Sequence, residues 1–167
     1  MRNRFPLYAL VSPLFLITAL ISMTHVFRRG FDFTDESLYL LLADNTDRNV
    51  SLGGPWSFYS HILYVLVDGN LFYFRLLGGF LLLASGSLLA GSIIKMLKPR
   101  RIDGITRLEI FWIVTLGSLY FYGLFLTTPG YNWLTLVALN LALSGLMFAH
   151  TANFRIANAG AAILGAG

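Results

Sequence analysis

Three carboxylates, Asp32, Asp35 and Glu36, fall in one short stretch, F-D-F-T-D-E-S-L-Y-L from Phe31 to Leu40. They lie just past a long apolar run, where a carboxylate can meet both a membrane-anchored substrate and water and act as general base on an acceptor hydroxyl. Two acids at a helix start also have a plainer use. The helix dipole favours negative charge in the first turn, and as sequence alone capping is the commoner role. Arg75 enters the next apolar run by one turn. Its guanidinium either snorkels to the surface or meets a phosphate or carboxylate. His61 is a weaker candidate, read as a polar tip at an interface. The chain has no cysteine, which excludes thiol catalysis, Cys-ligated zinc and a disulfide framework.

The elements that must position these groups are apolar helices. Hydrophobic residues make up 56% of the 167 and charged ones only 12%, against about 25% charged in a typical soluble domain. The apolar residues gather into runs near the roughly 20 residues that cross about 30 Å of hydrocarbon. These run from Phe5 to Phe27, Leu71 to Leu97, Glu109 to Leu126 and Tyr131 to Phe148. Ile156 to Gly167 reads as the opening of a fifth span, cut short, so a truncated N-terminal part is expected. The first run is too long for the apolar region of a signal peptide and lacks an A-x-A cleavage site. The expected fold is therefore all-α: a polytopic transmembrane helix bundle in contact with the lipid bilayer.

Lys and Arg favour cytoplasmic loops, and Lys95, Lys98, Arg100, Arg101 and Arg107 cluster between the second and third runs. Placing them inside also puts Arg2, Arg4 and Arg155 inside, and leaves Arg28, Arg29, Arg48 and Arg75 outside. The N terminus is then cytoplasmic, in the inner (plasma) membrane of a bacterium on this reading. The outer loop, residues 28–70, carries six of the eight acids: Asp32, Asp35, Glu36, Asp44, Asp47 and Asp68. Basic residues at span ends, rather than in a stripe with exposed aromatics, give no signature of a nucleic-acid partner.

That loop exceeds the roughly 15 residues an unstructured connection reaches, so it must hold elements of its own. Thr34 is a good N-cap, and Leu38, Leu41 and Leu42 give a short amphipathic helix ending near Asp44. After Gly53, Gly54 and Pro55, the stretch Trp56 to Val67 is too short to cross and is expected to lie at the interface. Asp68, Gly69 and Asn70 turn the chain into the second span. Thr127, Thr128, Pro129 and Gly130 form a tight outer turn, and Tyr122, Tyr131 and Trp133 fit an interfacial aromatic belt. In the second span, Ala84, Ser87 and Gly91 form a row of small residues along which a neighbouring helix can approach.

With these features in order, the chain resembles the N-terminal part of an integral-membrane glycosyltransferase of the GT-C fold, in the branch that includes protein mannosyltransferases and aminoarabinose transferases. The likeness covers nearly all of the chain. It rests on one span, the Asp35-Glu36 pair in the first outer loop, two interfacial helices, G-G-P-W-S-F-Y from Gly53, and N-L-F-Y-F-R-L-L from Asn70. Pro55 and Arg75-Leu76 match the proline before the second interfacial helix and the Arg-Leu of the following span. The resemblance implies transfer of a sugar, with inversion, from a polyprenyl-phosphate donor to an acceptor lipid, glycan or protein on the outer face. It implies Asp35 as the base that activates the acceptor, with Glu36 beside it, and Asp32, Arg75 and Pro55 in contact with substrate. Some members use a divalent cation near the phosphate, which Asp32 or Glu36 would help to hold; the spacing itself establishes no metal site and no cofactor. Two departures are Gly54-Pro55 where many relatives carry Pro-Pro, and Gly130 where an acid is often found. The alternative is a non-catalytic polytopic protein, such as a transporter piece or assembly subunit, carried by the small-residue row. A transporter would be expected to hold ionisable residues in mid-span, and none is evident.

Overall fold

The computed structural model describes residues 8–28, 35–44, 56–97, 102–124 and 128–151, and these are all-helical. The apolar stretch 156–167 lies outside them. Six helices follow one another: α1 (Tyr8–Phe27), α2 (Asp35–Asp44), α3 (Trp56–Leu66), α4 (Leu71–Met96), α5 (Gly104–Leu124) and α6 (Tyr131–Thr151). Two of them, α4 and α6, are long and apolar enough to cross a membrane. At about 1.5 Å per residue α4 reaches roughly 39 Å, whereas α2 and α3 reach only about 15 Å.

Local chemistry sets the boundary between α3 and α4. Asp68 adopts φ 51° and Gly69 φ 70°, the left-handed region that Asp tolerates and Gly enters freely. The N–H of Gly69 then reaches the Tyr64 carbonyl and that of Asp68 the Val65 carbonyl, both at 3.0 Å, which closes α3 in a Schellman motif. Asn70 opens α4 as its N-cap, its side-chain oxygen accepting from the N–H of Phe72 at 3.1 Å and Tyr73 at 3.2 Å. The third apolar helix begins earlier than its hydropathy predicts, at Gly104 rather than Glu109. Asp103 supplies the cap, accepting from the Thr106 N–H at 3.1 Å. Hydrogen bonds from Thr106 hold the Asp103 carboxyl below its ordinary range. That contribution is present above the unfolded-state pKa and is lost as pH falls through the folded-state value.

Helix α4 is the centre of the bundle, packed chiefly on α5 and α6, while α1 lies against α5 and α4, and α2 pairs with α3. Met23, Phe27, Leu82, Leu119 and Trp133 form the apolar core. The seam is made close by small residues, though the row Ala84, Ser87 and Gly91 is not its centre. Gly91 is exposed, and nothing within 4 Å would meet a Cβ there. The buried small residues are Gly78, Gly79, Ser85, Gly86, Ala90 and Ser92. Two neighbouring rows of α4 are both rich in small residues, and only the partner's side chains decide which one faces inward. A Cβ on Gly86 would stand 2.7 Å from the Ser118 Oγ. We expect Gly86→Leu to lower stability by about 1–3 kcal/mol through overpacking, and Gly91→Leu to leave the unfolding midpoint in detergent unchanged.

Polar groups lock the same seam. The Asn140 amide donates to the Ser85 and Ser118 hydroxyls at 3.2 Å each. Those hydroxyls donate in turn to carbonyls of their own helices, Leu82 and Val114, at 3.1 Å. The Trp133 indole N–H bonds the Gly78 carbonyl at 3.0 Å. Buried side-chain bonds of this kind, with each partner satisfied, fix how the helices sit against one another.

Candidate functional site

At one end of the bundle, four segments converge on a buried charge. Arg75 lies one turn into α4 and is 1% exposed; Glu36, in the first turn of α2, is 4% exposed. The Arg75 Nη2 donates to the Glu36 Oε1 at 2.8 Å and its Nε to the same oxygen at 3.2 Å. Its Nη1 donates to the Phe27 carbonyl at 2.9 Å, the end of α1. The Thr128 hydroxyl, in the turn between α5 and α6, donates to the Glu36 Oε1 as well. Arg75 thus does not snorkel. Of the two readings its position allowed, it takes the carboxylate partner, because Glu36 of α2 and the Phe27 carbonyl together meet its guanidinium in a buried setting.

An aromatic wall adjoins the ion pair. Tyr39 of α2, Trp56 of α3 and Tyr131 of α6 meet edge to face, with centroids 5.4 to 6.3 Å apart. Tyr39 is 5% exposed and lies flat against Gly130, where a Cβ would stand 2.9 Å from its ring. Gly130 therefore makes room for a tyrosine. Beside it, the Ser60 hydroxyl donates to the Pro129 carbonyl at 3.3 Å. His61 Nδ1 lies 2.7 Å from the Ala43 carbonyl. A carbonyl only accepts, so Nδ1 carries the proton, and His61 ties α3 to α2 instead of serving as a free polar tip.

Of the residues singled out for chemistry, Glu36 and Arg75 are thus brought together. Asp35 is the first residue of α2, while its side chain, together with Asp32 and Pro55, lies outside the described residues. Among the described residues no group of three His, Cys, Asp or Glu converges to hold a metal ion. Compared with protein-family models, curated proteins and solved structures, the chain shows no significant match.

Sequence reasoning overlooked Thr128, the Phe27 carbonyl and the Tyr39–Trp56–Tyr131 wall. A signal was available for one of them. A threonine in a T-T-P-G turn between two apolar helices is placed to donate to any carboxylate the outer loop brings back. Nothing local marks the Phe27 carbonyl.

Proposed function

We propose that the chain is a polytopic membrane protein in which α1, α4, α5 and α6 cross the bilayer and α2 and α3 lie at its outer face. The support is an inversion of ordinary packing. Helix α3 buries Ser57 and Ser60 while exposing Phe58, Tyr59, Ile62, Val65 and Leu66, and α2 exposes Leu38 and Leu41. An aqueous surrounding disfavours such a surface, whereas acyl chains and headgroups favour it. The chain has no native cysteine, so orientation is testable by single-cysteine labelling in intact cells. A cysteine at exposed Asp44 is expected to react with a membrane-impermeant maleimide, and one at Asp103 only after permeabilisation. The reverse pattern would overturn the orientation.

Within that frame we infer an inverting glycosyltransferase of the GT-C type, drawing its sugar from a polyprenyl-phosphate donor. The observation that favours it is the buried hub. Glu36 is committed to Arg75 and Thr128, which fixes the first turn of α2 at one end of the bundle. Consecutive helix positions lie about 100° apart, so Asp35 occupies a different position around α2 from the one the hub takes up. In the proposed step the acceptor oxygen bonds to the anomeric carbon as the bond to the carrier phosphate breaks. The hydroxyl proton passes to Asp35, and polyprenyl phosphate leaves on the opposite face. Glu36 and Arg75 position the base in this scheme. The test is Asp35→Asn in the intact protein, assayed for sugar transfer from a polyprenyl-phosphate donor; undiminished transfer would remove Asp35 as the base, and no transfer by the wild type would favour the non-catalytic reading.

A further inference from the structure

Beside the core, α1 and α4 diverge enough to leave an apolar groove of about 230 Å³, open along one side. Leu20, Met23 and Phe27 line it from α1, and Leu76, Phe80 and Leu83 from α4. It is smaller than the roughly 300–1,000 Å³ of a pocket that encloses a whole ligand. From Leu20 to Phe27 it descends about 10 Å along the helix axis. The one hydroxyl on its wall is already occupied, since Thr24 donates to the Ile21 carbonyl at 2.8 Å. Such a groove accepts a segment of hydrocarbon chain and offers a polar group nothing.

Its mouth is charged. Arg28 follows groove-lining Phe27 directly, and its guanidinium carbon sits 5.6 Å from the ring centroid of Phe72, one turn before groove-lining Leu76. Arg28 is exposed and has no carboxylate partner among the described residues. In sequence Arg29 adds a second cation. A cation at headgroup depth over an apolar slot is complementary to an anion that carries a chain.

We propose that the groove and Arg28 form a binding site for an anionic glycerophospholipid, its phosphate on Arg28 and part of one acyl chain between α1 and α4. The proposal rests on the membrane placement above and not on glycosyl transfer. A glycerophospholipid already stands at this depth and needs no entry path. The contact is also a means of joining α1 to α4 where their own side chains leave a gap.

Native mass spectrometry of the detergent-purified protein, titrated with phosphatidylglycerol or phosphatidylcholine of matched chains, tests this. Wild type is expected to retain one phosphatidylglycerol at least 5-fold more strongly than phosphatidylcholine. Arg28→Gln should remove that preference, and Leu20→Trp, at a partly exposed position, should weaken both lipids. Lys95→Gln, at the other end of α4, should change neither. The proposal is overturned if Arg28→Gln keeps the preference or if Lys95→Gln loses it equally. It is also overturned if inorganic phosphate displaces the lipid, or if equimolar polyprenyl phosphate does, which would assign the groove to a sugar carrier. A protein that stays dispersed without detergent would instead sink the membrane placement itself.

Discussion

Arg75→Met is expected to lower stability by about 3–5 kcal/mol, because removing one member of a buried ion pair strands the other. Glu36 is buried and would keep the Thr128 hydroxyl while losing both guanidinium bonds. Phe27 would lose its donor at the end of α1. Glu36→Leu should cost a similar amount, for the mirror reason. The double variant Arg75→Met/Glu36→Leu should lose far less than the sum, since an apolar pair of similar volume has no charge to desolvate. Arg75→Lys should not rescue, because an ammonium cannot serve the Glu36 carboxylate and the Phe27 carbonyl in the geometry of the guanidinium fork. Unfolding in mixed micelles, followed by circular dichroism, gives all four values. Additive costs in the double variant would show that the two residues do not act as a pair.

This hub also shows where sequence reading ends. Helices α2 and α3 and the turn before α4 were legible, since each is written in adjacent residues: the acids after Thr34, the apolar run after Pro55, and the Asp68-Gly69-Asn70 sequence. Their structure follows from capping and backbone preference, which act over a few positions. The partner of Arg75 was not fixed in the same way. Arg75 and Glu36 are 39 residues apart, and Thr128 and Glu36 are 92 apart. Charge and burial required that a cation inside an apolar helix find some oxygen, but a phosphate, a carboxylate and the surface all met that requirement. Only the tertiary placement of the first turn of α2, which sets Glu36 against Arg75 and Thr128, selected the carboxylate.

The helix seam was legible in kind and not in register. Small residues on α4 promised a close neighbour, and α5 does approach, yet at Gly86 and not at Gly91. Both rows have the composition that permits contact. What separates them is Ser118 and Asn140 on other helices, information that no window of α4 contains. The same holds for His61, whose tie to Ala43 depends on how α3 lies against α2.

Asp35→Asn is expected to reduce sugar transfer by about 10²–10⁴-fold, the usual contribution of a positioned general base, while leaving the unfolding midpoint where it is. The contrast with its neighbour gives the test its force. Glu36→Gln alters a side chain held by Arg75 and Thr128, so it should lower stability and depress transfer in proportion to the folded fraction. A base and a positioning group are therefore separated by measuring both properties on both variants. Loss of kcat at native stability marks the base; loss of both together marks the support. Asparagine keeps the size of Asp35 and its ability to sit in the first turn of α2, so a folding defect should not confuse the result. Should Asp35→Asn transfer sugar at the wild-type rate, another group must take the acceptor proton. Should it destabilise the protein as Glu36→Gln does, Asp35 belongs to the hub, and the acidic pair is an anchor for α2 rather than a site.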